Sequence, residues 1–301
     1  MGKKILLIGN PVAGGGKAKR LMPGLLQGLR QRGFLVKTSL THSPQDAIRW
    51  AQEIEADVDL LVVVGGDGTV NEVLNGLPDP SQTPIAHLPT GTANVLGREL
   101  GLPRRPEGLI QVIESGHLRR LDMGLLGERR FLMMASAGLD AMVTEEVQRR
   151  RGKLGYIGYL MPILRALHRY HPPALEVAVN GGEQILGAFV IASNTRNYGG
   201  IFSFADDARC DSGHLNVCVF SRGDLPALVR YYLAAFRGRA SRRTDARYLR
   251  GTRIRIDSQE AVAVQVDGDP AGVTPVRIRL LPAVVPVMVP ASSISLDCTD
   301  H

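Results

Sequence analysis

The fold of this chain is decided by residues 58–72, which read VDLLVVVGGDGTVNE. The first seven residues are nearly all apolar, as in a strand that is buried on both faces of a parallel sheet. A glycine-rich turn follows, and the helical stretch Val70–Leu77 comes directly after it. This order of strand, tight turn and helix predicts a doubly wound α/β domain, whose ligands bind at the carboxyl ends of the strands.

Strand and helix signals alternate around this stretch, from the start of the chain to about residue 125. Short apolar runs that end at turns predict the strands, and apolar residues at helical spacing predict the helices. The expected strands are Lys4–Gly9, Leu35–Leu40, Val58–Val64 and Ile85–Leu88, and the expected helices are 17–30, 44–55, 70–77 and 93–100. The first domain is therefore expected to be a parallel sheet with helices between its strands.

From about residue 126 the pattern changes to short apolar strands separated by turns. The expected strands are Phe131–Ala135, Leu175–Val179, Gln184–Ser193, Leu215–Phe220, Thr252–Asp257, Ala261–Val266 and Val276–Leu280. The turn Asn180-Gly181-Gly182 lies between two of these strands and predicts a hairpin. We therefore expect a second, antiparallel β domain over residues 126–280.

Composition excludes several classes of protein. The chain has 301 residues, of which 44% are hydrophobic and 22% charged, a globular composition with room for two domains. Only four consecutive apolar residues stand near the amino terminus, so no secretory signal is expected. Prolines interrupt the uncharged run Leu280–Leu296, which argues against a transmembrane helix. Three cysteines without metal-ligand spacing suggest no disulfide framework and fit a reducing cytosol.

The net charge of +7 is concentrated in one region. Residues 222–255 contain ten arginines but only two acidic residues, Asp224 and Asp245. This excess could meet an anionic membrane, or it could be a solvated face. No recognised nucleic-acid-binding module accompanies the arginines, so we expect no nucleic-acid partner.

Two apolar helical segments lie beside basic residues, Asp224–Arg237 and Leu154–Leu167. Such segments suit adsorption to a membrane surface, and the alternative is that both pack against the β domain. We expect a cytoplasmic protein with a peripheral contact at the inner membrane face, through residues 222–255. A homodimer is compatible with the sequence.

Three glycine-containing turns follow predicted strands of the first domain: Asn10–Gly16, Gly65–Thr69 and Pro89–Asn94. Glycine permits left-handed backbone and lets a phosphate approach the main-chain N–H groups, where a helix amino terminus adds partial positive charge. Asp67 stands between two glycines. A carboxylate there suits Mg²⁺ coordination or proton abstraction, and the alternative is a solvated turn residue.

Two standard phosphate-binding motifs do not fit these turns. Ala18 follows the Gly16-Lys17 pair where a P-loop needs Ser or Thr. Asn71 stands where a dinucleotide fingerprint needs Gly or Ala. The three turns together still predict a nucleotide cleft.

Four motifs occur in order along the chain: Asn10-Pro11, Gly65-Gly66-Asp67-Gly68-Thr69, Gly91-Thr92-Ala93-Asn94 and Asp267-Gly268-Asp269. Together they resemble the diacylglycerol kinase catalytic-domain family, bacterial soluble lipid kinases related to sphingosine and ceramide kinases. The resemblance spans almost the whole chain. It implies an ATP-binding α/β domain over 1–125, a β-sandwich over 126–280 that takes the lipid, and a return of 281–301 to the first domain.

The resemblance also implies an activity and roles for individual residues. An ATP- and Mg²⁺-dependent kinase would transfer the γ-phosphate to a lipid hydroxyl, such as that of diacylglycerol. Asp67 and Asp122 would lie around the catalytic Mg²⁺, and Asp269 would accept the hydroxyl proton. The implied ATP-binding residues are Asn10, Pro11, Val12, Ala13, Gly14, Thr41, Gly65, Gly66, Asp67, Gly68, Thr69, Val70, Asn71 and Thr92.

Three positions depart from the family pattern. Relatives have Glu where this chain has Asp269, and many have Asp where it has Val95. A structural Mg²⁺ site would use Arg209, Ser212 and His214, but Ser212 replaces the family's Asp, and Asp211 is the nearest substitute. Two other functions therefore stay open: an NAD- or sugar-type kinase, and a nucleotide sensor that has lost catalysis.

Overall fold

The computed structural model describes residues 2–149 and 172–295, so the apolar segment Leu154–Leu167 lies outside the described residues. The chain divides into two compact units. Unit 1 comprises residues 1–121 and 283–301, and unit 2 comprises residues 122–282. In the described part of the chain, we find no helix that combines the length and the apolar character needed to cross a membrane.

Unit 1 is built on parallel strands in the order β2-β1-β3-β4. These strands are β1 (Lys4–Gly9), β2 (Leu35–Leu40), β3 (Leu60–Gly65) and β4 (Ile85–Pro89). All six residues of β3 are buried, as its run of leucine and valine predicted. The end of a later strand, β16 (Val276–Met288), pairs in parallel with β4 through Val287 and Ile85.

Helices cover both faces of the unit 1 sheet. They are α1 (Ala13–Gln31), α2 (Asp46–Gln52), α3 (Asp67–Gly76), α4 (Val95–Glu99) and α5 (Pro106–Ser115). On one face, Leu25 of α1 and Ile110 of α5 pack with Val62 in one apolar cluster. Ile8 and Val63 point to the opposite face, where α2 and α3 lie, and are also buried. The predicted doubly wound α/β architecture is confirmed.

Unit 2 is an antiparallel β-sandwich, as predicted. One sheet has the order β12-β11-β10-β7-β14-β15. Its strands are β7 (Met134–Ala137), β10 (Phe189–Ser193), β11 (Leu215–Phe220), β12 (Ala246–Gly251), β14 (Ala263–Val266) and β15 (Asp269–Val273). The other sheet contains β8 (Leu175–Val179), β9 (Ile185–Gly187), β13 (Arg253–Ser258) and the start of β16, and β5 (Leu118–Leu126) pairs with β6 (Arg129–Phe131). Val190 and Val217 of the first sheet share one core with Val177 and Ile254 of the second.

The single strand expected at Gln184–Ser193 is two strands in the structure. β9 pairs with β8 in one sheet, whereas β10 pairs with β7 and β11 in the other. The chain changes sheets at Gly187, where a Cβ atom would lie 2.6 Å from a methyl carbon of Val219. One continuous apolar run in the sequence therefore contributes a strand to each of the two sheets of the sandwich.

The described chain contains three further α-helices, α6 (Leu139–Arg149), α7 (Leu225–Phe236) and α8 (Ser292–Ser295), and a short 3-10 helix at Ala240–Arg242. The predicted helix at Asp224–Arg237 corresponds to α7. Its first turn is capped by the Asp224 carboxylate, which accepts a hydrogen bond from the Ala227 N–H at 3.1 Å. Its buried side packs against Phe189 and Phe220 of the six-stranded sheet through residues that include Tyr231.

Candidate functional site

Three loops of unit 1 meet at the carboxyl ends of adjacent strands. We call them loop 1 (Asn10–Gly16, after β1), loop 2 (Gly65–Thr69, after β3) and loop 3 (Thr90–Asn94, after β4). The Asn10 side-chain amide donates to the Thr69 hydroxyl at 3.5 Å, and the Thr90 N–H donates to the Gly65 carbonyl at 2.8 Å. The parallel sheet thus brings together the three glycine-containing turns that were predicted from the sequence.

The loops approach so closely that glycine is required. Gly14 has a φ of +58°, and a Cβ atom on it would lie 1.8 Å from the Thr90 carbonyl oxygen. A Cβ atom on Gly91 would lie 2.7 Å from the Gly66 Cα. Around Gly15, in contrast, a Cβ atom would meet nothing within 4 Å. The loop backbones therefore pack against each other on one side and face open space on the other. A phosphate group needs such an open stretch of backbone.

The Asp67 carboxylate is bound to backbone within unit 1. Oδ2 accepts a hydrogen bond from the Val95 N–H at 2.9 Å, and Oδ1 accepts one from the Leu96 N–H at 3.2 Å. These N–H groups belong to the first residues of α4, where no earlier helical carbonyl can pair with them. Asp67 is half-buried and ties loop 2 to α4, so it is not a freely solvated turn residue. Each carboxylate oxygen keeps a further lone pair for another ligand.

The other residues implied for ATP binding fall into three groups. Asn10–Gly14, Gly65–Thr69 and Thr92 lie in the converging loops, where the Asn10 side chain also accepts the Val12 N–H at 3.2 Å. Val70 and Asn71 are buried in the first turn of α3. Thr41 follows β2, and its N–H donates to the Gly9 carbonyl at 2.9 Å.

Loop 3 contains buried oxygen atoms without a hydrogen-bond partner among the described residues: Thr90 Oγ1 and Asn94 Oδ1. Together with the Asp67 carboxylate, they give loops 2 and 3 the oxygen-rich chemistry that a hard cation such as Mg²⁺ prefers. His87 lies on β4, and its Nδ1 is 3.2 Å from the Val63 carbonyl. Burial lowers the pKa of His87, so the imidazole adds no positive charge at neutral pH.

The loop that carries Asp269 in unit 2 is held by its neighbour, Asp267. The Asp267 carboxylate accepts hydrogen bonds from the N–H groups of Leu132, Met133 and Met134 at 2.9 to 3.0 Å. Asp267 itself has a φ of +49°, a conformation that Asp tolerates better than most residues. A charged acceptor for three N–H groups fixes the position of this turn.

A buried polar network supports the same turn. The Gln265 side-chain carbonyl accepts the Gly268 N–H at 2.8 Å, and the Gln265 amide donates to the Asp140 carboxyl and the Ser136 hydroxyl, both at 2.8 Å. Burial raises the pKa of Asp140, which favours its protonated form. Asp267 and this network together make a rigid base for Asp269.

Asp269 begins β15, and its side chain is 40% exposed. Arg129 Nη2 lies 3.2 Å from Asp269 Oδ2, while Arg129 Nη1 donates to the Pro270 carbonyl at 2.6 Å. The Arg129 guanidinium therefore orients the Asp269 carboxylate and also binds the backbone of β15. An exposed, oriented carboxylate is suited to accept a proton from an incoming hydroxyl.

Asp122 is buried and belongs to a polar cluster of unit 2. Its Oδ2 accepts the Gly213 N–H at 2.6 Å, its own N–H donates to the Cys210 carbonyl, and the Asn194 amide donates to its carbonyl at 3.0 Å. Asp122 is thus tied to the loop 209–214, which the resemblance assigned to a structural Mg²⁺. The assignment of Asp122 to the catalytic Mg²⁺ stays a prediction.

Ser212 closes the loop 209–214. Its hydroxyl oxygen lies 3.0 Å from the Arg209 carbonyl oxygen and 3.0 Å from the His214 carbonyl oxygen. These are the two carbonyls that would bind a structural Mg²⁺. The Ser212 hydroxyl lies between them, within hydrogen-bond distance of both. The Asp211 carboxylate lies 3.5 Å from Arg209 Nε instead. With Ser212 between the carbonyls, this donor set does not fit a divalent cation, for which oxygen ligands with negative charge are preferred.

Sequence reasoning missed Arg129, Gln265 and the anchoring role of Asp267. Arg129 and Gln265 have no motif around them. Asp267 carried a signal, because it lies beside Gly268 between two strands, but the Asp-Gly-Asp pattern does not reveal which of its carboxylates is anchored and which is exposed.

Comparisons with known proteins agree with this architecture. Residues 4–126 match the family described as diacylglycerol kinase catalytic domain, and residues 133–289 match the YegS C-terminal NAD kinase beta sandwich-like domain. A diacylglycerol kinase of Staphylococcus epidermidis is 28% identical over 296 residues, which cover 96% of this chain and 93% of that protein. A diacylglycerol kinase of Bacillus subtilis is 27% identical, with 91% and 92% covered.

Solved structures show the same relationship. A diacylglycerol kinase from Bacillus anthracis is similar at a TM-score of 0.77 and 26% identity, over 96% of this chain and 98% of that chain. An NAD kinase from Archaeoglobus fulgidus in complex with ATP is similar at a TM-score of 0.56 and 14% identity, over 97% and 96%. That likeness concerns the fold alone. From its sequence matches and its two-unit fold, the chain belongs to the diacylglycerol kinase catalytic-domain family.

Proposed function

We propose that this protein transfers the γ-phosphate of ATP to the hydroxyl group of a lipid such as diacylglycerol. The observation that carries the proposal is the convergence of three glycine-containing loops at one sheet edge in unit 1. Relatives named diacylglycerol kinase, which match more than nine-tenths of the chain, favour a lipid as the acceptor.

The phosphates of ATP would lie over loops 1, 2 and 3. The last three residues of loop 1, Gly14, Gly15 and Gly16, have positive φ and carry no side chain, so a phosphate can approach the backbone of the loop. Loop 2 adds the amino terminus of α3, whose partial positive charge favours an anion. Unit 1 would therefore bind and orient the nucleotide.

Asp67, with Thr90 and Asn94 in the neighbouring loop, would hold Mg²⁺, and Asp122 would add a further carboxylate, either directly or through water. When bound, Mg²⁺ would neutralise charge that develops on the phosphate oxygens during transfer. Because Asp67 also binds the N–H groups of α4, its carboxylate would be fixed before the nucleotide arrives. This preorganisation avoids a reorganisation cost during the reaction.

Asp269 would act as the general base. Its carboxylate would accept the proton of the lipid hydroxyl while the hydroxyl oxygen attacks the γ-phosphorus in line and ADP leaves. Arg129 would orient this carboxylate through the 3.2 Å contact. Asp is one methylene shorter than the family's Glu, so the hydroxyl or an intervening water would sit closer to the backbone of β15.

Two other functions would use the same unit 1 site. An NAD-type kinase is suggested by the fold shared with the Archaeoglobus fulgidus enzyme, although 14% identity carries no information on substrate. A nucleotide sensor without catalysis is suggested by the departures at Asp269 and Val95. Val95 is buried, and its N–H rather than its side chain contacts Asp67.

A transfer assay with γ-labelled ATP and Mg²⁺ separates these functions. The acceptors are diacylglycerol and a total lipid extract in vesicles, NAD, and a panel of sugars. We expect label in the lipid fraction alone. Label in NAD or a sugar would replace the lipid proposal, and ATP binding without transfer to any of them would favour the sensor.

A further inference from the structure

Helix α7 presents apolar side chains on two sides. Ala227, Leu228, Tyr231 and Ala235 are buried against the six-stranded sheet of unit 2. On the other side, the exposed fractions are 55% for Leu225, 56% for Val229, 45% for Leu233 and 63% for Phe236. A surface helix normally places polar residues there. We call these four exposed residues the α7 stripe.

The α7 stripe is continuous and concentrated. Its residues are spaced by four, four and three positions, so they form a single row along the helix. Ten large apolar side chains are exposed in the described part of the chain, and four of them lie in this one helix. Scattered exposed apolar residues are normal, whereas a row of them marks an interaction surface.

A neighbouring loop extends the stripe. The Phe202 ring contacts the Tyr232 ring at a centroid distance of 5.4 Å and the Phe236 ring at 6.4 Å. The Ser203 N–H donates to the Ala235 carbonyl at 3.0 Å, which fixes the loop against α7. Ile201, next to Phe202, is 48% exposed.

Exposed arginines accompany the stripe. Four exposed arginines in α7 or just after it have no ion-pair partner among the described residues: Arg230, Arg237, Arg239 and Arg242. By contrast, Arg222 lies 2.7 Å from the Asp224 carboxylate and Arg243 lies 2.7 Å from that of Asp245. The cationic groups beside the stripe are therefore available to an external anion.

Residues 238–242, which follow α7, are held by hydrogen bonds, so the backbone that carries Arg239 and Arg242 has a fixed position. Gly238, with a φ of +60°, ends the helix, and the Arg239 N–H returns to the Ala234 carbonyl at 2.9 Å. Ala240 is buried and accepts a hydrogen bond from the Tyr248 hydroxyl. The Ser241 hydroxyl donates to the Asp206 carboxylate at 2.7 Å.

We propose that the α7 stripe and its arginines form a docking surface for an anionic lipid bilayer. The apolar row would enter the boundary between headgroups and acyl chains, while the arginines contact lipid phosphates. Apolar side chains alone would fit a protein groove equally well, but the unpaired cations beside them favour an anionic membrane. This membrane binding is separate from the phosphate-transfer reaction, and it can be measured in the absence of ATP and of transfer.

The first test is co-sedimentation with vesicles of phosphatidylcholine, with and without phosphatidylglycerol. We expect the double variant Leu233→Ser/Phe236→Ser to bind anionic vesicles at least about tenfold more weakly than the wild type, because two apolar side chains no longer enter the bilayer. Leu186→Ser is the control for loss of an exposed apolar side chain, since Leu186 is 66% exposed and lies on β9, a strand of the other sheet. An equal loss in the control would overturn the proposal.

The second test removes charge. Arg239→Gln/Arg242→Gln should weaken binding to anionic vesicles by about fivefold for each arginine and leave the weak binding to pure phosphatidylcholine unchanged. Arg277→Gln/Arg279→Gln, on exposed positions of β16, makes the same change in charge elsewhere in unit 2. Equal binding of both double variants, or no preference of the wild type for anionic vesicles, would contradict the assignment.

A label on the helix gives a direct readout that does not depend on affinity. Cys210 and Cys218 are buried, so a cysteine introduced by Leu233→Cys on a Cys298→Ser background can be labelled with an environment-sensitive dye. We expect a blue shift of its emission on adding anionic vesicles, and none from Leu186→Cys treated alike. Unchanged emission at position 233 while the protein is vesicle-bound would show that another surface docks.

Discussion

Asp67 in unit 1 and Asp269 in unit 2 both follow glycine, yet their carboxylates are held differently. Both oxygens of Asp67 accept backbone N–H groups, from Val95 and Leu96. In unit 2 that anchoring falls to Asp267, which accepts three N–H groups and leaves Asp269 40% exposed beside Arg129.

In unit 2, the structural role and the proposed catalytic role belong to two different carboxylates. In unit 1, a single carboxylate has both roles. In unit 2, Asp267 stabilises the turn, whereas Asp269 is partly exposed, contacts Arg129 and is proposed to act as the base. In unit 1, the same Asp67 carboxylate both ties loop 2 to α4 and is proposed to hold Mg²⁺. Substitutions at these three positions should therefore divide their effects between activity and stability in three distinct ways.

The largest effect on activity alone is expected from Asp269→Asn. An amide cannot accept the hydroxyl proton, so kcat should fall by about 10²- to 10⁴-fold. The melting temperature should stay within a degree or two of the wild type, because the side chain is partly exposed and Asp267 still holds the turn. Unaltered kcat in a steady-state transfer assay would exclude Asp269 as the base.

Asp67→Ala should affect both properties. Loss of the proposed Mg²⁺ ligand should lower kcat by at least about 10²-fold. Two backbone N–H groups at the start of α4 also lose their acceptor, which should cost about 1–3 kcal/mol in the free energy of unfolding. Denaturant unfolding and a transfer assay on the same preparation test this, and wild-type activity would remove Asp67 from the mechanism.

Asp267→Ala should act mainly on stability. Three N–H groups lose a charged acceptor at once, and the free energy of unfolding should fall by about 3 kcal/mol or more. At a temperature where the variant remains folded, its kcat should exceed that of Asp269→Asn. The reverse order of the two kcat values would mean that the roles of the two carboxylates are exchanged.

The smallest effect concerns the loop 209–214. The wild type should show the same melting temperature in EDTA and in Mg²⁺ when no nucleotide is present, because the Ser212 hydroxyl spans the Arg209 and His214 carbonyls. Ser212→Asp should gain a Mg²⁺-dependent increase of a few degrees, since a carboxylate completes the donor set. A Mg²⁺-dependent shift in the wild type that Ser212→Ala abolishes would contradict this interpretation.

Local sequence patterns predicted much of the fold. The valine run of β3, the glycine turn after it and the hairpin at Asn180 each have a short-range cause, and each is present in the structure. The convergence of the three loops also followed from strand order, because parallel strands end at one edge.

The contacts that hold the carboxylates could not be predicted in the same way. Asp67 meets backbone N–H groups 28 and 29 residues away, and these groups have no side-chain signature. Arg129 and Asp269 are 140 residues apart, and one arginine among many cannot be singled out without the pairing of β14 with β15 and β7. Tertiary packing decides such partners.

We propose above that this protein phosphorylates a lipid hydroxyl with Asp269 as the base. The most direct measurement follows γ-labelled ATP with diacylglycerol in mixed vesicles, with NAD in parallel, for the wild type and Asp269→Asn. We expect label in the lipid with the wild type, almost none with the variant, and none in NAD with either protein. Label in NAD, or equal labelling of the lipid by both proteins, would contradict it.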